Sequence, residues 1–374
     1  PELDRLRQML AEAKAGRGQV AAVTAEPGIG KTRLVYEFVH SQETQGWRLL
    51  ESSSLAYEKA NSYLPIIELL RRYFEIEDTD VAAQIAVKVL SRLVAIDPKL
   101  QDSGPPILSL LDALPEDDPF RSLDARARRR HILVALTRVM LKECDREPVL
   151  IVLQNLQWVD PETQVFLDGL LERMHSARLM LILEYRPEFV HDWQHCIGFN
   201  EVPITPLAST GADELLKSLL GADRSLVPLR QILIERAQGN PFFIEELVRT
   251  LAEAKVLVGE PGAYRAAGGI DNLQVPATVQ AVLAARIDRL ANEEKYLLQS
   301  ASVIGLDVSQ ALLEAVTEFR ADALRNALAH LQSAGFLDEV GLFSDMEFRF
   351  RNALARDVAY ESLLREQRRV LHAR

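Results

Sequence analysis

Two stretches of this sequence hold residue types at spacings that suit phosphate chemistry, and the first is AEPGIGKT, Ala25–Thr32. Gly28 and Gly30 allow the backbone to curl so that successive N–H groups face an anion. Lys31 can then reach terminal phosphates, and the Thr32 hydroxyl can coordinate Mg²⁺. A predicted helix follows and adds the positive end of its dipole. The pattern predicts a nucleotide phosphate site made by Glu26, Pro27, Gly28, Ile29, Gly30, Lys31, Thr32 and Arg33.

The second stretch is VLIVLQNLQWVDPET, residues 149–163. Its apolar run predicts a buried strand, and a nucleotide-hydrolysing protein is expected to carry acids where such a strand ends. Here the residues are two amides, Gln154 and Asn155. An amide offers a divalent cation only a neutral carbonyl oxygen and cannot accept a proton. We therefore expect Mg²⁺ to be held less firmly and hydrolysis to be slow or absent, while phosphate binding need not depend on either residue.

Two nearby carboxylates are conceivable substitutes for the missing acids. Asp160 precedes Pro161 and a predicted helix, which is the pattern of an N-cap followed by proline at the first helical position. Glu26 lies in the phosphate loop and has no better support. The spacing favours the capping role for Asp160.

The composition limits the classes of protein to consider. With 374 residues, of which 48% are hydrophobic, the chain is long enough for two or three domains. A formal net charge of −11 argues against a broad DNA-binding surface. The basic runs ARARRR, 125–130, and REQRR, 365–369, are interpreted as solvated helix faces. Because no apolar run approaches the ~20 residues needed to span a bilayer and the N-terminus does not resemble a signal peptide, we expect a soluble cytoplasmic protein without membrane contact.

The cysteine and histidine content offers little further chemistry. Cys144 and Cys196 are the only cysteines, so no disulfide framework is expected. His191, His195 and Cys196 fall on one short segment without a distant partner, and we interpret them as ordinary loop residues instead of metal ligands.

Strands and helices alternate in the first half of the chain. Apolar strands are predicted at 19–25, 47–53, 149–153, 178–186 and 199–207, with helices at 3–15, 31–42 and 161–174 between them. Such alternation predicts an α/β fold in which helices cover both faces of a parallel sheet. From 210 to 255 the pattern is helical, and 256–270 indicates a small hairpin or a flexible linker. Helices at 277–290, 293–304 and 321–335, followed by the alternating segment 335–351, predict a winged helix.

Seven segments together resemble a known group, the STAND-type P-loop signalling ATPases. The similarity is to the AAA-like module attached to class III adenylate cyclases and to some large LuxR-type regulators, and it covers almost the whole chain. The segments that carry it are, in order, EPGIGKTRLVYEF, LQWVDPET, EYRPEF, GNPFFIEELVRTL, VPATVQAVLAARIDRL, ASVIG and ALARDVAYESLL.

The resemblance implies a domain organisation. It implies a P-loop α/β nucleotide-binding domain at 1–207, a helical lid domain with the hairpin or linker at 208–275, a winged-helix domain at 276–352, and the start of a C-terminal helical repeat region at 353–374. Because the chain starts and stops abruptly, we expect it to be a fragment of a larger polypeptide.

The resemblance also implies roles for particular residues. Lys31 and Thr32 match the phosphate and magnesium ligands. Gln154 and Asn155 stand where the family has two acids. Arg186 matches a sensor arginine, although a surface ion pair with Glu188 is the plain alternative. Further correspondences are Pro241, which matches a lid proline that packs on the base and also suits a helix start, and Asn352, which stands where the family commonly has a diphosphate-reporting histidine.

Three functions remain open at this point. The first is a regulatory switch that binds ATP or ADP with weakly held Mg²⁺ and controls the rest of its own polypeptide, such as a cyclase or another effector domain, with nucleotide-dependent self-association as a further possibility. The second is an active ATPase that drives conformational cycles. The third is a winged-helix scaffold for DNA or protein with a vestigial pocket. Ala25 stands where the pattern G-x-x-x-x-G-K-[ST] has its first glycine. This departure and the one at Asn352 favour a naturally degenerate module over an engineered trap.

Overall fold

A parallel sheet of five strands organises the first half of the chain. The structure, a computed structural model, describes residues 1–54, 62–267, 276, 278–317, 319–340 and 347–373. The strands lie in the order β2-β3-β4-β1-β5 and all pair in parallel. Their bounds are β1 Gln19–Thr24, β2 Arg48–Ser53, β3 Val149–Gln154, β4 Leu179–Tyr185 and β5 Phe199–Pro203.

Helices cover both faces of this sheet, as the alternation of elements predicts. Successive strand residues point to opposite faces, so Ile151 joins one apolar core while Leu150 and Val152 join another. The core around Ile151 contains side chains from α3 to α7, and the other contains side chains from α1 and α2. The bounds are α1 Glu2–Lys14, α2 Lys31–Val39, α3 Leu64–Tyr73, α4 Ala82–Ile96, α5 Gly104–Leu110, α6 Ala125–Arg146 and α7 Pro161–Leu171. Burial on both faces explains why β3 and β4 read as continuous apolar runs.

The second half of the chain is mostly helical and has its own apolar core. Its first helices are followed by a two-stranded antiparallel hairpin, β6 Leu257–Val258 and β7 Arg265–Ala266, within the segment for which a hairpin or linker is expected. The remainder of that segment, 268–270, lies outside the described residues. The helices of this half are α8 Ser209–Leu220, α9 Val227–Ala237, α10 Pro241–Glu253, α11 Val279–Arg289, α12 Asn292–Ile304, α13 Gln310–Thr317, α14 Ala321–Ser333, α15 Ala353–Glu361 and α16 Arg365–Ala373.

The same half of the chain contains a small antiparallel sheet, whose strands lie between α12 and α15 in the sequence. Its strands are β8 Asp307–Ser309, β9 Leu337–Glu339 and β10 Glu347–Phe350, in the order β8-β10-β9. The sequence patterns indicate β9 and β10 but neither β8 nor α13. The segment between β9 and β10 from 341 to 346 lies outside the described residues, so the winged-helix assignment stays a prediction.

The chain divides into two compact units. The first comprises Pro1–Glu26 and Gly30–Ile204, and the second comprises Pro27–Ile29 and Thr205–Arg374. The four domains expected from the sequence, with their boundaries, stay predictions. In the part of the chain that the structure describes, no helix is both long enough and apolar enough to cross a membrane.

A buried ion pair fixes α10 against α11 in the second unit. The Arg286 guanidinium donates to Glu246, and it also donates to Glu253 at 3.1 Å and to the Ala334 carbonyl oxygen at 2.5 Å. Both Arg286 and Glu246 are buried. Such a pair adds little to the free energy of unfolding compared with apolar residues at both positions. Removal of one partner is different, because it leaves a buried charge uncompensated.

We expect Glu246→Ala to lower the free energy of unfolding by about 3–5 kcal/mol, because it leaves the Arg286 guanidinium without its buried counterion. Urea denaturation of the full chain measures this change. The control is Asp288→Ala, which breaks the exposed pair with Lys295 and should have a much smaller effect. Equal effects from the two substitutions would contradict a structural role for the buried pair.

Candidate nucleotide-phosphate site

The phosphate loop joins the end of β1 to the start of α2. Gly28 and Gly30 have φ values of 82° and 112°, in the left-handed region that glycine adopts without steric cost. Gly30 occupies the N-cap of α2, where no side chain caps the helix. The first N–H groups of the helix therefore have no side-chain cap, and their use by an anion stays a prediction.

Lys31 lies folded along the loop. Its Nζ donates to the Ala25 carbonyl oxygen at 2.5 Å and to the Glu26 carbonyl oxygen at 3.3 Å. Burial lowers the pKa of this ammonium, the Glu184 carboxylate raises it, and Arg186 lowers it further. The ammonium group therefore lies against the backbone of the loop, and its contact with phosphate stays a prediction.

The neighbouring loop residues differ in exposure and contacts. Ile29 is buried and Glu26 is exposed, while Arg33 forms an exposed ion pair with Glu37 at 2.6 Å. Pro27 accepts a hydrogen bond at its carbonyl oxygen from the side-chain amide of Asn240, a residue of the same compact unit, at 3.0 Å.

The carboxyl ends of β3 and β4 bring an unexpected acid to the loop. Glu184, the penultimate residue of β4, is 2% exposed. Its Oε2 accepts from the Thr32 hydroxyl at 3.3 Å, and its Oε1 accepts from the Gln154 side-chain amide at 3.3 Å. Two of the residues singled out in the sequence, Thr32 and Gln154, therefore meet at a carboxylate that the sequence patterns did not identify.

The charge of Glu184 is poorly compensated by its surroundings. Burial raises the pKa of this carboxyl to about 7, while Lys31, the Thr32 hydroxyl and the Gln154 amide lower it. A hydrogen bond to a charged group contributes about 1.5–3 kcal/mol at best, whereas an uncompensated buried ion costs several kcal/mol. A carboxylate at this position therefore lowers the stability of the folded protein.

Asn155 is held by polar side chains at the end of β3. Its Nδ2 donates to the Ser53 Oγ on the neighbouring strand at 3.1 Å, and Gln157 Nε2 lies 3.5 Å from its Oδ1. The residue has φ 58°, a left-handed conformation that asparagine tolerates better than most residues. The amide is therefore oriented by the β2–β3 edge, next to the strand that ends in Gln154.

Comparisons with known proteins agree with this architecture. Residues 1–182 match the family described as AAA ATPase domain, and residues 208–265 match a domain of unknown function, DUF8739. The whole chain is 25% identical, over 379 aligned residues, to an uncharacterized protein of Rhizobium meliloti (strain 1021), of which it spans 36%. A crystal structure of a Signal Transduction ATPase with Numerous Domains (STAND) protein with a tetratricopeptide repeat sensor, from Pyrococcus horikoshii, matches 97% of this chain with a TM-score of 0.51 and 13% identity.

The chain has the fold of a STAND-type P-loop ATPase. The match of residues 1–182 to the AAA ATPase domain supports a nucleotide-binding module. The chain spans 43% of the archaeal STAND protein and 36% of the bacterial relative, so it corresponds to a part of each of these longer proteins.

Arg186 lies just beyond β4 of this STAND-type fold. Its guanidinium carbon is 6.0 Å from the centroid of the Trp158 ring, at the outer limit of a cation–π contact. It also acts electrostatically on Lys31. Arg186 is therefore close enough to Lys31 to lower its pKa, and its sensor role stays a prediction.

The two remaining residues implied by the family resemblance lie at helix starts. Pro241 is the first residue of α10, and Asn240 before it caps the helix by accepting from the Phe243 N–H at 3.0 Å. Asn352 caps α15 by accepting from the Leu354 N–H at 2.7 Å. The helix-start interpretation of Pro241 is confirmed, and its contact with a base stays a prediction.

The histidine-rich loop is organised by packing. His191 stacks on Trp193 with ring centroids 4.6 Å apart, and its Nε2 lies 2.6 Å from the Tyr185 hydroxyl. Burial lowers the pKa of His191. Among the residues that the structure describes, no three His, Cys, Asp or Glu side chains are grouped to hold a metal ion.

Asp160 is a structural cap, as its spacing predicts. Its Oδ1 accepts from the backbone N–H groups of Glu162, Thr163 and Tyr63, each at 3.0 Å, and its Oδ2 accepts from the Thr163 hydroxyl at 2.5 Å. The side chain is 2% exposed. Because these hydrogen bonds occupy both carboxylate oxygens, Asp160 is a poor substitute for the acids missing from β3.

We expect Asp160→Ala to lower the free energy of unfolding by about 2–3 kcal/mol, since it removes the α7 cap and leaves the Tyr63 N–H buried without an acceptor. Nucleotide affinity should stay within about twofold of the wild type. Chemical denaturation and nucleotide titration measure the two effects. Asp124→Ala, which removes the exposed cap of α6, is the control and should cost about 1 kcal/mol or less. A large loss of affinity with unchanged stability would assign Asp160 to the nucleotide site instead.

Proposed function

We propose that this chain is the nucleotide-binding switch module of a larger signalling protein, binding ATP or ADP and hydrolysing ATP slowly or not at all. The observation that carries the proposal is the pair of amides, Gln154 and Asn155, at the end of β3. That position adjoins the phosphate loop through Glu184 and Thr32. A switch requires that the nucleotide bind two conformations of the protein with different affinities. It does not require fast hydrolysis.

Binding draws on groups that are independent of the two amides. The glycine backbone at 28 and 30, the uncapped start of α2 and the Lys31 ammonium all act on phosphates directly. The side chains at this edge also fit Mg²⁺, because Thr32 and Glu184 present oxygen atoms, the ligand type that this hard cation prefers. We therefore assign the phosphates to residues 26–33 and the metal to Thr32.

Hydrolysis lacks a proton acceptor at the expected place. Asn155 already uses its amide group to donate to Ser53, and an amide oxygen does not take a proton from water at neutral pH. Loss of a positioned base typically lowers a rate by about 10²–10⁴-fold. Asp160 is committed to its cap, and the Glu26 side chain is exposed at the surface.

The other assignments follow the same proposal. Arg186 is proposed as the sensor of the terminal phosphate and Pro241 as a base contact. The region 208–275 is proposed as the lid, 276–352 as a winged helix and 353–374 as the start of helical repeats. Because the chain spans only 36% and 43% of its two longer relatives, we propose that its principal partner is the rest of its own polypeptide, such as a cyclase or another effector domain, with self-association controlled by nucleotide.

A DNA-binding scaffold is less well supported. Arg128 in the basic run of α6 donates to the carbonyl oxygens of Arg121 and Leu123, and Arg129 pairs with Glu162 at 2.5 Å. In the last helix, Arg368 donates to the carbonyl oxygens of Leu363 and Glu361. These arginines are engaged within the protein, so they do not form a row of charges directed outward.

We expect Lys31→Ala to weaken ATP and ADP binding by at least about 100-fold, because it removes the ammonium group that we propose contacts the phosphates. Isothermal titration calorimetry measures the affinity. Lys14→Ala, at the exposed end of α1, removes an equal charge from the same unit and should leave affinity unchanged. Unchanged affinity in Lys31→Ala would show that the phosphate site is misassigned.

We expect Asn155→Asp to raise the rate of phosphate release from ATP by about 10²-fold or more, since the new carboxylate can accept a proton and the change is isosteric. A coupled phosphate assay under saturating ATP and Mg²⁺ measures the rate. Asn200→Asp on β5 makes the same change elsewhere on the sheet and should have no effect. If Asn155→Asp were as slow as the wild type, the amide would not be what limits hydrolysis.

A further inference from the structure

One charged residue interrupts a strand that is otherwise built for burial. All seven residues of β4 are buried, and Glu184 is the one among them with an ionisable carboxyl group. Strands covered on both faces normally exclude charges unless a partner compensates them. Within the described part of the chain, Glu184 is hydrogen-bonded only to Thr32 and Gln154, both at 3.3 Å, which is long for a charged hydrogen bond.

The sheet register explains why this glutamate reaches the phosphate loop. Glu184 pairs with Val23, one residue before the end of β1, so β4 delivers it to the edge from which the loop departs. Leu183 pairs with Leu153 on the other side, which sets Glu184 beside Gln154. The carboxylate therefore approaches from β4 the place where an acid is missing from β3.

The oxygen geometry suits a small divalent cation. Two neighbouring ligands of an octahedral Mg²⁺, each about 2.1 Å from the metal, lie roughly 3 Å apart. The Thr32 hydroxyl oxygen and the Glu184 Oε2 are 3.3 Å apart. Gln154 donates to the other carboxylate oxygen and so orients the group.

We propose that Glu184 supplies from β4 the carboxylate that β3 lacks, so that nucleotide-associated Mg²⁺ is held between Thr32 and Glu184, directly or through a water ligand, with Gln154 as the positioning residue. The assignment rests on the nucleotide binding proposed above and deepens it. It separates two tasks, because metal binding is retained by an acid on the neighbouring strand while the proton acceptor for hydrolysis remains an amide, Asn155. The site would then bind ATP together with Mg²⁺ without hydrolysing the ATP.

The test measures ATP affinity in Mg²⁺ and in EDTA. The wild type should bind at least about tenfold more tightly with Mg²⁺, a difference of about 1.4 kcal/mol. Glu184→Gln should lose this enhancement, while its affinity in EDTA stays the same or rises because a negative charge near the phosphates is gone. The swapped variant Gln154→Glu with Glu184→Gln returns the carboxylate to β3, keeps the amide–carboxylate pair, and should recover the enhancement.

The control is Glu188→Gln, which removes an exposed carboxylate that also acts on Lys31 and should leave the enhancement intact. Mn²⁺ binding in the presence of ADP, followed by electron paramagnetic resonance, gives a second measurement that does not depend on turnover. It should weaken at least about tenfold in Glu184→Gln.

Each outcome decides the assignment. A Glu184→Gln protein that keeps the full Mg²⁺ enhancement, or that loses affinity equally with and without metal, overturns it. Equal ATP affinity of the wild type in Mg²⁺ and in EDTA would also overturn the assignment, without recourse to a variant. That result would not contradict the proposed nucleotide switch. A wild type that binds no nucleotide under either condition contradicts the switch itself.

Discussion

The parallel hydrogen-bond register of β1, β4 and β3 is the constraint on which the candidate site depends. Parallel pairing aligns the carboxyl ends of these strands at one edge of the sheet, and the phosphate loop leaves β1 at that edge. This alignment brings together three residues that are far apart in the chain: Thr32 on α2, Glu184 on β4 and Gln154 on β3. Glu184 accepts hydrogen bonds from both of the others. A shift of one residue in β4 would turn Glu184 to the opposite face.

The distribution of charge at this edge separates binding from hydrolysis. The groups that we propose act on phosphates are backbone N–H groups, the start of α2 and the Lys31 ammonium. The groups at the end of β3 that would act on water are neutral amides. A buried carboxylate costs more free energy than its two long hydrogen bonds return, so Glu184 is better explained by a ligand than by stability. The same reasoning assigns Asp160 to structure, since its oxygens are fully engaged by the α7 cap and the Tyr63 N–H.

Much of this arrangement could be predicted from the sequence. Continuous apolar runs at β3 and β4 predict the parallel sheet, because local composition alone encodes burial on both faces. The glycine loop before α2 likewise predicts the tight turn, and the phosphate site at this turn stays a prediction. The Asp160 cap was also predictable, since Asp-Pro at a helix start is a local signal. Glu184 was not identified, although an acid inside an apolar strand was a visible signal. Its significance depends on pairing with β1 and β3, which no single segment encodes. The three-residue strand β8 was not predicted for the same reason, because its assignment as a strand depends on its pairing with β10.

The central claim is that this module holds ATP without consuming it, and the fate of bound nucleotide tests that claim most directly. Purified protein would be loaded with ATP and Mg²⁺, separated from free nucleotide, incubated, and denatured so that the released nucleotide can be identified by chromatography. The account predicts that ATP is recovered intact over many minutes. Conversion of bound ATP to ADP at ~1 s⁻¹, within the ordinary range of enzyme turnover, would contradict it.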